Sequence, residues 1–350
     1  MSAVLGRAAA RARAAAARKL GRDETELDVL FVNGWRPDAA NATALVFVPG
    51  SDRPALVAKL AAGDAMATLA AELRNLETLA AAPGVSFRRS VPAPLGFSEE
   101  DGAVFLLESA LGGQPLHPAG NPRALRRDLE QVADWVVLFH HETGCVKGPL
   151  DDASAERLLH RPFAAYLERF RPGAAERRWL ETAARESATL AREALPLVFA
   201  HGDLCAPNVL IDGGEIRVID WEIPFSPGLP AFDLIHLLAC TAQRDGDHDG
   251  LEVYQRAFFA EDGLARLSRT VLERYARALG LAVETLRPLF TLYWLDYAIE
   301  KADLERATGP VPPDRRATLE IGAYGLARFG EGTCLNLKLL ADNERSFVLR

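Results

Sequence analysis

Over the first twenty residues Arg7, Arg11, Arg13, Arg18 and Lys19 punctuate an alanine-rich run that contains no acid. Serine is nearly absent and no apolar core follows, so the run is expected to be an N-terminal surface helix (1–20) rather than a targeting segment. The pattern then changes to short apolar runs separated by turns, as in antiparallel strands. Strands are predicted over 28–33, 44–48, 55–60, 85–97 and 102–108, with a Pro-Gly-rich turn at 49–54. Leu69, Leu73, Leu76 and Leu79 recur at helical spacing and predict a helix over 64–82, closed by Pro83-Gly84. The third strand carries one lysine, Lys59, among apolar residues, and Glu72 or Glu77 on the helix can reach it.

The fifth strand runs into the glycine pair Gly112-Gly113, which marks the boundary between two parts of the chain. Beyond residue 122 helical periodicity dominates, with amphipathic segments at 129–141, 153–169 and 174–192. A short strand at 197–200 follows, and helical patterns resume at 231–239, 251–259, 264–279, 283–304 and 314–329. The expected fold class is therefore α+β: a strand-rich N-terminal lobe (1–108), a hinge (109–114) and a larger, mainly helical C-terminal lobe (115–350).

Composition narrows the classes. At 350 residues, 49% hydrophobic and 25% charged, the chain reads as a soluble globular protein with ample core, expected in the cytoplasm. The net charge of −8 argues against a nucleic-acid partner. Cys145, Cys205, Cys240 and Cys334 form no C-x-x-C pair, which argues against a zinc site or a disulfide framework. No apolar run of about 18 residues suggests a membrane span.

The chemistry concentrates in one stretch, His201 to Glu222, which reads HGDLCAPNVLIDGGEIRVIDWE. Gly213-Gly214 between two apolar runs predicts a tight hairpin, because glycine accepts the positive φ that such turns require. A two-residue turn sets 211 against 216 and 209 against 218, with Asn208 beside Ile219. Asn208 and Asp220 then share one end of the ladder, where opposed residues lie about 5 Å apart. A strict pleat would turn them to opposite faces, so a bulge or the strand ends must intervene. An Asp, an Asn five residues on, and an Asp closing a hairpin suit phosphoryl transfer. One carboxylate orients the attacking hydroxyl, while an amide and a second carboxylate supply the one or two oxygens that magnesium takes from protein.

At these residues the chain resembles the aminoglycoside phosphotransferase and choline kinase family, small-molecule kinases with a protein-kinase-like fold. The resemblance spans about residues 28–310. It implies ATP (occasionally GTP), Mg²⁺ and a small-molecule hydroxyl acceptor such as an antibiotic, amino sugar, sugar or amino alcohol. It further implies that Asp203 is the catalytic base or hydroxyl-orienting acid and that Asn208 and Asp220 are the metal ligands. His201 becomes the loop-stabilising histidine and Asp233 the acid bracing that loop. Lys59 becomes the phosphate-binding lysine and Glu72 its partner. Glu108 and Ala110 become hinge positions whose backbone holds adenine, with Gly112 closing the hinge. Two departures stand out: no G-x-G-x-x-G lies near the first strands, leaving 34–41 or 49–53 as the phosphate-covering loop, and Cys205 sits where another small or polar residue is expected.

Other polar groups have simpler readings. His140-His141 and His236 lie on apolar helix faces and read as packed histidines. Asp245, Asp247 and Asp249 surround His248 in an acidic loop, and Asp296 and Glu300 share a helix with Tyr293, Trp294 and Tyr297. An ammonium-binding site could be built from the acids and aromatics, but a solvated surface and an aromatic core stripe account for them. A protein kinase is the alternative enzyme, weakened by Trp221 in place of the Phe of D-F-G and by the missing A-P-E. A nucleotide-binding pseudoenzyme is the non-catalytic alternative.

Overall fold

The computed structural model describes residues 3–308 apart from 34–39, 118–120, 145, 243–249 and 261–262. The basic start is a helix, α1 (Ala3–Leu20), whose buried stripe is Leu5, Ala8, Ala12 and Ala16. These short side chains let the helix lie against a five-stranded antiparallel sheet. The sheet comprises β1 (Asp28–Phe31), β2 (Asn41–Phe47) and β3 (Leu56–Ala62). After α2 (Ala65–Ala80) and a single turn, α3 (Val85–Arg88), come β4 (Pro94–Glu100) and β5 (Ala103–Ser109). Its order is β1-β2-β3-β5-β4, and a two-residue strand, β6 (Gln114–Pro115), follows.

One predicted strand is corrected. Residues 85–97 divide into α3 and β4, and pairing begins only at Pro94. Pro92 and Pro94 lack the N–H that a ladder needs, while the Arg88 guanidinium bonds the carbonyls of Ala82 and Pro83 and fixes the helical turn.

The pleat of the sheet decides which side chains face the chemistry. Ala58 and Leu60 of β3, with Phe105 and Leu107 of β5, join the α1 core. Their neighbours Lys59, Leu106 and Glu108 point the other way, toward α2. Lys59 is thus delivered to the α2 side by strand period alone.

A second compact unit comprises His117–Ala206 and the residues from Ser226 on. It holds α4 (Pro122–Glu142), β7 (Val146–Gly148) and α5 (Asp152–Ala155), then a π-helical segment, Glu156–His160, that leads into α6 (Arg161–Phe170). Next come α7 (Ala174–Ala188) and β8 (Leu195–Leu197). The short strand expected at 197–200 is β8, displaced toward the N-terminus by its pairing with β7. Leu159, Tyr166, Leu180, Leu289, Leu292 and Leu295 are the centre of one core cluster. The predicted helix at 314–329 lies outside the described residues.

The hairpin strands β9 (Val209–Asp212) and β10 (Glu215–Val218) belong with the first unit, which comprises Met1–Leu116 and Pro207–Phe225. The helical lobe expected over 115–350 includes this segment. Its contacts explain the difference: β9 pairs with β6, and the Val218 N–H donates to the Ser90 carbonyl at 2.8 Å. Gly113, at φ +131°, lies so close that a Cβ would stand 3.1 Å from the Ile211 carbonyl oxygen. The Arg217 guanidinium donates to the Gly112 carbonyl at 2.9 Å and bridges to Asp212. The remaining described helices are α8 (Phe232–Ala242), α9 (Gly250–Phe258), α10 (Gly263–Ala278) and α11 (Leu286–Thr308). Among the described residues no helix is long and apolar enough to cross a membrane.

Candidate active site

The first unit gathers three carboxylates around Lys59. Its Nζ bonds Glu72 Oε1 of α2, donates to Asp220 Oδ1 at 2.8 Å, and lies 3.9 Å from Glu108 Oε1. Glu77, the other acid weighed on the helix, is exposed, whereas Glu72 is buried. Burial disfavours the Lys59 charge, but Glu108, Glu72 and Asp220 outweigh it and hold the ammonium above its ordinary range. Three ionised acids against one lysine would leave excess negative charge in a dry site. Glu108, only 2% exposed, responds: burial, with help from Glu72 and Asp220 and against Lys59, pushes it up to about 8.

Glu108 therefore contributes a side chain to this cluster. Its backbone is part of the ladder, opposite Val57 on one side and Pro94 on the other, and the Ala110 N–H reaches the Ala55 carbonyl at 3.4 Å. The strand expected to end at 108 runs one residue further, so that Ser109, the first residue of the hinge expected over 109–114, still belongs to β5.

Two polar residues on the buried face of α2 fasten the segment after Asp220. Glu72 Oε1 also accepts the Trp221 N–H at 3.1 Å. Asn75, which sequence reasoning missed, donates to the carbonyls of Trp221 and Ile223, both at 2.7 Å, and accepts the Phe225 N–H at 3.2 Å. The signal was available: an Asn three residues after Glu72, one turn before Leu79, interrupts an apolar helix face. Trp221 is fully buried and its indole N–H donates to the Val218 carbonyl at 3.0 Å.

The hairpin has the register that its glycine pair implies, with Ile216 opposite Ile211 and Val218 opposite Val209. The Ile219 N–H donates to the Asn208 carbonyl at 3.0 Å. Strict alternation ends there. Ala206–Asn208 form a 3₁₀ turn, and Asp220 adopts φ +72°, left-handed backbone rarely used by a non-glycine residue. Asn208 is buried, whereas the Asp220 side chain is 39% exposed.

The second unit holds the other residues. Asp233, buried at the start of α8, receives the backbone N–H of His201 on one carboxylate oxygen at 2.8 Å and that of Gly202 on the other at 2.9 Å. The Asp203 N–H in turn donates to His201 Nδ1 at 3.3 Å. A buried acid and a buried histidine thus shape the loop that presents Asp203, whose side chain is 45% exposed. His236 of α8, expected to be a packed histidine, has Nε2 at 3.3 Å from Asp203 Oδ1 and Nδ1 at 2.9 Å from the Tyr293 hydroxyl. Periodicity alone could not show this, because position 236 lies on an apolar helix face.

His140 is a core residue: its Nδ1 lies 3.0 Å from the Tyr275 hydroxyl, which receives the Ala231 N–H. Tyr293, Trp294 and Tyr297 belong to an aromatic cluster with Tyr254, Phe258 and Phe290. Asp296 turns instead to a recess of about 910 Å³, whose lining includes Arg157, Arg161 and Arg171. The acidic loop of Asp245, Asp247 and Asp249 lies outside the described residues, as does most of the 34–41 segment. The alternative phosphate loop, 49–53, is the β2–β3 turn.

A model of the phosphotransferase enzyme family (APH) matches residues 34–281. The chain belongs to that family. As the HGDL…IDWE resemblance implied, this phosphotransferase also shares its fold with aminoglycoside phosphotransferases and choline kinases. Choline kinase from Cryptosporidium parvum Iowa II is 12% identical, with a TM-score of 0.51 over 93% of each chain. Choline kinase LicA from Streptococcus pneumoniae is 14% identical, with a TM-score of 0.50 over 87% of this chain and 94% of that one. A thermostable mutant of aminoglycoside phosphotransferase APH(4)-Ia, in ternary complex with ADP and hygromycin B, is 16% identical. Its TM-score is 0.50, over 91% of this chain and 98% of that one. The fold is therefore protein-kinase-like and α+β, as the order of strands and helices suggested. Comparison with curated proteins gave no match.

Proposed function

We propose that this phosphotransferase moves the γ-phosphoryl group of ATP, with Mg²⁺, to a hydroxyl of a small molecule. The observation that carries the reading is the Lys59 cluster: one buried lysine bonded to a helix acid, Glu72, and to the acid that closes the hairpin, Asp220. A lysine so held is a fixed positive charge for nucleotide phosphates. Asp220 and Asn208 offer a carboxylate and an amide oxygen, hard donors of the kind magnesium prefers. Bound there, Mg²⁺ supplies charge neutralisation on the phosphates.

Asp203 orients the acceptor hydroxyl. The bond from the acceptor oxygen to the γ-phosphorus forms as the bond to the β-phosphate oxygen breaks, and the hydroxyl proton passes to the Asp203 carboxylate. Because such transition states are loose, orientation contributes more than early proton removal. The N–H bonds to Asp233 and His201 serve that orientation by fixing the loop backbone. The acceptor class is an antibiotic of the aminoglycoside kind, an amino sugar, a sugar or an amino alcohol.

The test is a screen with MgATP over hygromycin B, kanamycin, glucosamine, glucose and choline, following ADP release and phosphorylated product. Turnover with an acceptor, lowered about 10²-fold or more by Asp203→Ala, is the expected result. Nucleotide binding with no phosphorylated product from any acceptor would turn the reading toward a pseudoenzyme.

A further inference from the structure

Resting on the reading of Asp203 as the hydroxyl-orienting acid, we propose that His236 is a positioning residue that sets the direction of the Asp203 carboxylate. The geometry is a short relay within the second unit. Tyr293 on α11 fixes one ring nitrogen of His236 at 2.9 Å, and the other ring nitrogen lies 3.3 Å from Asp203 Oδ1. The ring is also packed against Tyr297, with centroids 5.8 Å apart, and its side chain is only 12% exposed. An imidazole with both nitrogens engaged and its faces packed has little rotational freedom, so the carboxylate it meets inherits a fixed orientation. The loop bonds to Asp233 and His201 act on the backbone of Asp203; His236 acts on its side chain.

The charge state follows from the groups that face the ring. Asp203 faces it from the loop, Cys240 from the next turn of α8 with Sγ 3.6 Å from Nε2, and Tyr293 and Tyr297 from α11. Burial by itself would discharge the imidazole, but Cys240 and Asp203 push its pKa up to about 10. At neutral pH it is then an imidazolium bonded to a carboxylate. Such a pair fixes the geometry of the carboxylate, which suits a loose transition state in which the proton leaves late.

Two measurements separate this inference from the functional reading beneath it. The first follows the histidine Cε1 proton resonance through pH 6–11, assigned by its loss in His236→Gln. The His236 titration is expected well above the ordinary histidine range in the native chain and lower by at least one pH unit in Asp203→Asn. An unchanged midpoint in Asp203→Asn overturns the pairing, whatever the activity. The second compares kcat, KM for MgATP and the pH–rate profile of His236→Gln, His236→Phe and Tyr293→Phe, with ATP hydrolysis in water as the readout if no acceptor in the screen reacts.

The expected result is kcat lowered by about 10-fold to 10²-fold in both His236 variants, KM for MgATP unchanged, and the alkaline limb of the profile moved. Far-ultraviolet circular dichroism checks that each variant is folded, and the NMR arm decides the pairing if one is not. An inactive Asp203→Asn beside His236 variants of native kcat and pH profile rejects the positioning role alone. A fully active Asp203→Asn rejects the functional reading instead.

Discussion

Lys59 Nζ donates to Asp220 Oδ1 at 2.8 Å across 161 residues of sequence, and the same nitrogen bonds Glu72. The strand lysine and the hairpin acid are therefore parts of one ion-paired group. Replacing the lysine with methionine keeps the stem that packs between β3 and α2 but leaves Glu72 and Asp220 without their ammonium partner. Lys59→Met is expected to lower turnover by about 10²-fold or more through lost phosphate positioning. Asp220→Ala is expected to remove magnesium-dependent nucleotide affinity. A turnover assay checks the first and calorimetric titration with MgATP the second, and native affinity in Asp220→Ala would contradict the assignment of that residue to the metal.

Glu108 should make stability fall at alkaline pH. Its folded pKa, about 8, lies above the value of an unfolded glutamate. The folded state therefore holds the proton more tightly, and this contribution is full below about pH 4.5 and is lost as pH rises toward 8. Glu108→Gln, which mimics the protonated acid, should stabilise the chain at pH 9 and change little at pH 5. Urea midpoints at the two pH values test this; equal shifts at both would show that Glu108 is not protonated in the folded state.

Asn75 anchors three backbone groups from a buried helix face. Asn75→Leu has nearly the same volume but leaves two carbonyls and one N–H unpaired, at least one of them buried. The expected loss is about 2–4 kcal/mol, read by urea denaturation, with weakened nucleotide binding because the chain after Asp220 loses its anchor. A change below about 0.5 kcal/mol, the range of neutral surface substitutions, would show that water replaces the anchor.

His140 works in the opposite pH range. Burial, assisted by the neighbouring His141 charge, holds its pKa down to about 3. The unfolded state binds the proton more readily, so stability is full above about pH 6.5 and is lost as pH falls toward 3. His140→Gln should flatten the decline in melting temperature between pH 6.5 and 4, at some cost in stability at pH 7. A decline as steep as that of the native chain would assign acid sensitivity to other groups.

The sequence was most legible where local chemistry decides structure. Gly213-Gly214 set the hairpin register because only a tight turn accommodates two adjacent positive-φ residues, and the pairing of Ile211 with Ile216 follows. Lys59 stood out because a charge inside an apolar strand needs a partner, and Glu72 was within reach on the next helix. Residues 85–97 misled because their apolar content outweighed two prolines. Asn75, the Glu108 side chain and His236 were missed for a common reason: each acquires its role from a partner far away in sequence. In each case the local pattern reads simply as a buried face. The left-handed backbone at Asp220 was equally hidden, since aspartate tolerates that region without requiring it.

Residues 207–225 complete the first unit although the chain has left it at Leu116. During synthesis at about 5–20 residues per second, this imposes a delay of roughly 5–20 s. Throughout it, the five-stranded sheet and α2 exist without the hairpin that satisfies Glu72, Asn75 and Lys59. The nascent first unit thus carries Asn75 without its backbone partners and an unfilled slot for Trp221 until nearly two-thirds of the chain has been made. Ribosome-bound fragments ending before and after residue 225 should therefore differ in protease resistance over residues 59–110, with no change in any of those residues.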